Sequence, residues 1–233
     1  MNVGLGLLWF AAFIVSTTLH EAAHCLAALK LGDPTARDAG LVTLDPVPHM
    51  QRSPIGMIVV PIATFLLSSF GWMMGWASTP YDPYWARRHR RRAAVMSLAG
   101  PAANLALLVL AAIAIRIGVA LGIFAAPDAA TLQQVTVAPA GGMAQGAAVL
   151  VSILMSLNLI LLVFNLLPLP PLDGSEVITL FLSDSAADRY RTFLMQPGVQ
   201  MVGLIVAWNV MGLLVGPAQE LALNLLYPGA GYS

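Results

Sequence analysis

The chain has 233 residues, 58% of them hydrophobic and only 9% charged, with a formal net charge of zero. Soluble domains carry about 25% charged residues, so the composition excludes an ordinary soluble domain and marks an integral membrane protein. The lack of net positive charge argues against a nucleic-acid partner, and the single cysteine, Cys25, excludes an intrachain disulfide.

Residues 3–31 read as the first spanning helix, stopped by Gly32-Asp33-Pro34, with Lys30, the only lysine, near its C-terminal end. Met1 to Phe13 holds no Lys or Arg and the apolar run continues past it, so no cleavable signal is expected. Late in this helix stands His20-Glu21-Ala22-Ala23-His24, an H-E-x-x-H pattern. On a helix, positions i and i+4 share one face. Two imidazoles so placed can ligate one Zn²⁺, with the intervening Glu near enough to act as a base toward water. Glu21 is also the only charged residue from Val3 to Leu29. An unpaired charge in such a segment costs several kcal/mol, so its presence points to function. Cys25 follows His24 directly, but adjacent helical positions point about 100° apart. It reads as a small packing residue.

Residues 35–53 form a polar loop interrupted by Pro46 and Pro48, in which the partial alternation of Gly40 to Asp45 predicts a short strand or hairpin. Residues 55–77 are apolar throughout and contain Pro61. The aromatic Tyr81 to Trp85 stretch suits a membrane interface and precedes the basic cluster Arg87 to Arg92. A second span runs from Ala93 to about Phe124 and includes Gly100-Pro101-Ala102-Ala103-Asn104. After a Pro/Gly-containing loop, a third span over 147–167 runs into Asn165-Leu166-Leu167-Pro168-Leu169-Pro170-Pro171-Leu172-Asp173-Gly174. A short helix is predicted over 175–182 and a polar stretch over 183–196. A last span covers 199–215, with an amphipathic tail before Tyr227. The expectation is an all-α polytopic membrane protein with about four spanning helices, a re-entrant apolar element, and a short β-like loop after the first helix. It is one domain over 1–233, with the second half of its core in 93–182 and a C-terminal helix and tail in 197–233.

Positive charge orients such proteins. Lys30, Arg37, Arg52, the Arg87–Arg92 cluster, Arg189 and Arg191 should all lie in the cytoplasm. Residues 55–77 then cannot cross once, because basic residues precede and follow them. Twenty-three helical residues are too few for two full spans. The segment should re-enter, bent near Pro61 or Ser68-Ser69, with its non-helical backbone shielded by protein; the alternative is a simple extra span with the Arg cluster on the outer side.

A catalytic zinc usually takes three protein ligands and keeps one position open. His20 and His24 supply two. Asp173 is the best candidate for the third, at the depth of the first helix's C-terminal third, although Asp-Gly after a helix is also an ordinary turn. Asn104 reads as a core hydrogen-bonding residue beside the small Gly100. His49 is either a solvated loop histidine or a group able to approach the metal. Glu176 reads as a supporting or capping group, and the Arg cluster as an anchor at anionic head groups.

His20-Glu21-x-x-His24, Gly100-Pro101-x-x-Asn104 and Asn165-x-x-Pro168-x-Pro170-x-x-Asp173-Gly174, in this order, resemble the site-2 protease family of intramembrane zinc metalloproteases. The likeness is to the compact bacterial branch without PDZ or CBS domains and covers roughly residues 5–182. The resemblance implies one zinc on His20, His24 and Asp173, Glu21 as base, and a polar assisting role for Asn165 toward the substrate carbonyl or oxyanion. It implies membrane-protein substrates, a multi-pass protein of the cell membrane, and a site inside the bilayer nearer the cytoplasmic face. The loops are too short for a PDZ domain. Two rival readings stand beside it. A zinc-bearing scaffold or chaperone would close the fourth metal position, with His49 as the only nearby candidate. A metal transporter would want ionisable residues spread along a path, whereas here they cluster.

Overall fold

The computed structural model describes residues 3–69, 71–196 and 198–232. In chain order the helices are α1 (Val3–Leu31), α2 (Thr35–Asp38), α3 (Pro46–Arg52), a π-helical turn (Ile55–Val59) leading into α4 (Val60–Leu67), and α5 (Pro83–Arg88). Then come α6 (Arg90–Ala120), α7 (Gly142–Asn165), α8 (Asp173–Val177) with a 3₁₀ turn (Ile178–Phe181), α9 (Asp184–Leu194) and α10 (Val199–Leu226). Four of them, α1, α6, α7 and α10, are long and apolar enough to cross a bilayer. Among the described residues there is no sheet, only the isolated bridges Ala125–Val137 and Thr131–Gln134.

Helices α1, α6 and α7 form the central bundle, and α10 leans against α7 from outside. Lipid is as apolar as leucine, so close packing and polar contacts hold such a bundle together. One apolar cluster joins Trp9, Ala12 and Phe13 of α1 to Phe65, Met73, and Ile153 and Leu157 of α7. Another joins Ala111 and Ile115 of α6 to Met155 of α7 and to Leu223, Leu226 and Tyr227. Smaller apolar clusters around Ala28, Trp85, Ala93 and Met96 and around Cys25, Ala36 and Leu41 close the C-terminal end of α1.

The strand expected at Gly40–Asp45 does not form; that stretch is irregular and leads into α3. Asp45 accepts a hydrogen bond from Val47 N–H (2.9 Å) and Pro46 occupies the first turn. An N-cap followed by proline is a helix start, and it overrides a weak alternation. The polar 183–196 stretch contains a helix, α9. Arg90 pairs with Asp184, and Arg191 pairs with Glu176. The last span does not stop at Val215 but continues through Pro217 to Leu226.

Residues 55–82 form a hairpin. The chain runs as helix to Leu67, reverses where Gly71 N–H donates to Ser68 O (3.1 Å) and Ser69 takes φ 55°, and returns without regular secondary structure. Pro61 does not bend it, because it sits in the first turn of α4 where no N–H is required. The returning backbone bonds largely to the helix it has just left. Thr64 Oγ1 donates to Met74 O (3.2 Å) and accepts from Met74 N–H (3.0 Å), and Trp76 N–H donates to Gly56 O (3.0 Å). Gly56 and Gly75 allow this approach: a Cβ on Gly75 would stand 2.2 Å from Gly56 O. Both ends of the hairpin therefore lie at the same end of the bundle.

That end also gathers the basic residues. Arg92 donates to Leu31 O (3.1 Å) and Arg191 to Ala86 O (3.3 Å). Asp33 ties the stop of α1 to the hairpin's exit: one oxygen accepts from Thr35 N–H (3.0 Å) and its hydroxyl (2.5 Å), the other from Asp82 N–H (2.8 Å). Burial pushes this carboxyl up, but the donors from Thr35 and Asp82 more than offset that and hold it below the usual carboxylate range. Its contribution is therefore complete above the unfolded-state value near ~3.9 and is lost as pH falls through the lower folded value. Asp33→Asn turns one acceptor into an N–H facing an N–H. It is expected to cost about 1–3 kcal/mol, read as a lower unfolding temperature in detergent at neutral pH and a smaller difference from wild type in strong acid.

Candidate metal centre

His20 and His24 project from one face of α1 and both are buried. Asp173 opens α8, immediately after the proline-rich run that follows α7. Its carboxylate reaches both rings: Oδ2 lies 3.2 Å from His20 Nε2 and Oδ1 3.4 Å from His24 Nε2. The two Nε2 atoms are 3.0 Å apart. One ligand atom from each of the three side chains falls within 4.8 Å of the others, the only such group among the described residues.

The outer ring nitrogens are already engaged. His24 Nδ1 stands 2.8 Å from Met96 O, and His20 Nδ1 stands 2.6 Å from Asn104 Oδ1. A carbonyl oxygen only accepts, so each Nδ1 carries the hydrogen, and Nε2 is the nitrogen each ring turns inward with a lone pair to offer a metal. Two lone pairs and a carboxylate crowded together repel one another unless a cation lies between them. Asp173 Oδ2 is buried and makes no hydrogen bond. Two imidazoles and one carboxylate are a usual donor set for a catalytic zinc, and these side chains fit that ion.

Helix α6 presses against the cluster at Gly100, where a Cβ would stand 2.3 Å from His24 Nε2 and 2.5 Å from His20 Nε2. In an ordinary helix interior, Gly→Ala stabilises by about 0.5–1 kcal/mol. Here the methyl would occupy space against the donor atoms. Gly100→Ala is therefore expected to abolish most zinc binding, against the propensity trend. Metal analysis of the purified variant checks this; zinc content equal to wild type would contradict the geometry.

Glu21 is buried one position along α1. Thr79, at the end of the returning hairpin, donates to Glu21 Oε2 (2.8 Å) and lies 3.2 Å from Glu21 O. Cys25 Sγ touches the same hydroxyl at 3.4 Å and is not in the ligand group. Thr79 carries no motif in sequence; only the hairpin's return brings it to Glu21. Asn165 closes α7, and its amide donates to Leu161 O (3.0 Å) within its own helix and not to the cluster. His49 is buried in α3, with Nε2 3.1 Å from Thr43 O, outside the ligand group. Glu176 pairs with Arg191 of α9, a tie between α8 and the helix after it.

The fold and this cluster define a polytopic helical membrane protein with a His–His–Asp group able to hold a metal ion. Residues 8–208 match peptidase family M50, the site-2 protease family, and the chain belongs to it. It is 36% identical over 166 residues to a Bacillus subtilis (strain 168) protein named "Putative zinc metalloprotease YwhC", covering 71% of this chain and 64% of that one. It is 33% identical over 171 residues to "Putative zinc metalloprotease Rip2" of Mycobacterium tuberculosis (strain ATCC 25618 / H37Rv), covering 73% of this chain and 56% of that protein. The chain thus spans less than two thirds of the length of these relatives. No solved structure matches it.

Proposed function

We propose that this protein is an intramembrane zinc endopeptidase that cleaves transmembrane or membrane-adjacent segments of other proteins. The observation that carries the reading is the convergence of His20, His24 and Asp173 with the buried Glu21 on the same helix as the two histidines. His20, His24 and Asp173 would hold one zinc per chain. When bound, the zinc supplies Lewis acidity, polarising the scissile carbonyl and lowering the pKa of the attacking water. Glu21 accepts the proton from that water and later returns it to the leaving amine. Thr79, through its hydroxyl, orients the Glu21 carboxylate toward that task. Asn165, at the end of α7, serves as a polar donor toward the substrate carbonyl once substrate is present. The substrate backbone must leave its helix locally, because a helical carbonyl is already hydrogen-bonded and hidden.

His24 is seven residues from the end of α1 and His20 eleven, which places them roughly 10–17 Å inside that end. The end bearing Lys30 and the arginines is the cytoplasmic one by the positive-inside rule, in the cell membrane. The ligand group has three side chains and His49 is occupied elsewhere. This favours a centre with an open position over a closed structural one, and so an enzyme over a zinc-bearing scaffold.

Fragments of membrane proteins, compared in membranes containing wild-type or Glu21→Gln protein, test the reading. Fragments with new termini inside or beside an apolar segment are expected only with the wild type. Identical fragment sets would favour the scaffold. Engineered cysteines near Arg37, Arg90 and Ser185 should be labelled from the cytoplasmic face and one near Asp128 from the opposite face. Labelling near Arg90 from outside would overturn the orientation.

A further inference from the structure

A chain of buried amides leads away from the metal centre into α7. Asn104 of α6 and Asn158 of α7 are both wholly buried, as is Ser16 of α1. Asn104 Nδ2 donates to Asn158 Oδ1 (2.8 Å), and Asn158 Nδ2 donates to Leu154 O (2.8 Å) and Ser16 Oγ (2.9 Å). At the near end, Asn104 Oδ1 faces His20 Nδ1. Polar amides deep in an apolar bundle are costly unless every link is made. What such a chain specifies is direction.

An amide side chain can be turned over, exchanging its oxygen and nitrogen. The direction here is set by the one partner that has no choice. Leu154 O is a main-chain carbonyl and can only accept, so the Asn158 NH₂ must face it. Asn158 Oδ1 is then forced toward Asn104, which must answer with its own NH₂. Asn104 Oδ1 is left facing His20, and His20 Nδ1 must carry the hydrogen. We infer that Asn158, which touches neither the metal ligands nor Glu21 through any of these bonds, is a positioning residue. It transmits the fixed polarity of a carbonyl on α7 through Asn104 to His20, locking the ring in the one tautomer whose Nε2 lone pair can bind zinc. His24 needs no such relay, because Met96 O fixes its tautomer directly. The inference rests on the zinc-centre reading above, but its first measurement needs no zinc.

In metal-free protein labelled with ¹⁵N-histidine, His20 Nδ1 should carry a hydrogen throughout, whatever Nε2 holds. A population of wild-type His20 with a bare Nδ1 would overturn the inference, whatever the protein's activity. Asn158→Leu keeps the side chain's approximate size but releases the Asn104 amide to turn. It should give mixed His20 tautomers and weaken zinc binding about 10- to 100-fold, the usual cost of losing a group that orients a metal ligand, read by competition with a chelator of known affinity. Adding Asn104→Asp to Asn158→Leu replaces the amide by a carboxylate, which accepts through either oxygen and needs no orientation. The double variant should regain the Nδ1–H tautomer and most of the lost affinity. If Asn158→Leu leaves the His20 tautomer unchanged, or if the double variant binds zinc no better than the single one, Asn158 only packs and the inference fails. Should Asn158→Leu not fold, Asn158→Ala, which also releases the Asn104 amide, takes its place in the same measurements with the same outcomes.

Discussion

Replacing Glu21 with glutamine is expected to leave the protein folded, zinc-loaded and able to bind substrate, while cleavage falls at least a hundredfold. The side chain keeps its size and can still accept from the Thr79 hydroxyl, now 2.8 Å from Glu21 Oε2. It loses only its ability to take up a proton, and proton transfer by a placed side chain is worth about 10²–10⁴-fold in rate. The three ligand side chains are untouched, because Glu21 is not among them. The comparison is made on reconstituted protein with a membrane-protein substrate, following fragment appearance alongside zinc content. A Glu21→Gln protein that cleaves within tenfold of wild type would remove Glu21 from the proton chemistry. One that loses its zinc would instead make Glu21 part of the metal's surroundings.

The second large effect is on the metal itself. Wild-type protein should hold one zinc per chain, and His20→Ala, His24→Ala and Asp173→Ala should each lose most of it. A three-donor site that loses one donor keeps only two, below what a catalytic zinc takes from protein. Binding is also coupled to local order, so α8 should loosen from α1 in the Asp173 variant. Asp173 is the informative member, since it joins from a different part of the chain and reaches both rings at 3.2 and 3.4 Å. Full zinc retention in Asp173→Ala would take that residue out of the ligand set and reopen the search for the third donor.

His20, Glu21 and His24 were legible in sequence because their arrangement is local: a helix with a four-residue spacing delivers them without further folding. The spanning helices were legible for a similar reason, since an apolar run of sufficient length has few other fates in a bilayer. The hairpin was legible indirectly. Basic residues before Ile55 and after Ala77 led to the expectation of a re-entrant element, and the chain doubles back between Ser68 and Gly71. Asp173 could be named from its motif but not from its own two-residue context, which an ordinary turn shares. Gly100 stood out as part of a motif, but its approach to the two rings did not. Thr79 and Asn158 became meaningful only through a returning backbone and an amide aimed at another amide, and neither leaves a periodicity or spacing to read. The strand assigned to Gly40–Asp45 failed because six residues of alternation weigh less than an Asp–Pro helix start. The helical nature of residues 184–194 was missed because a polar segment gives no apolar run to notice.

The hairpin also has a geometric consequence for the surrounding lipid. Its helical limb, Ile55–Leu67, has 13 residues and so reaches about 20 Å, whereas the hydrocarbon slab is about 30 Å thick. The shortfall is met from the far side: Gln133, in the loop between α6 and α7, donates from its side-chain amide to Gly71 O (2.9 Å) at the hairpin's turn. On this flank the hairpin and the α6–α7 loop are two short pieces joined end to end by a polar contact. Trp72 and Leu132, both packed on the adjoining apolar cluster, lie beside that contact. A bilayer set by the four long helices is expected to meet a waist here in place of a continuous helix, and to thin or bend inward to follow it.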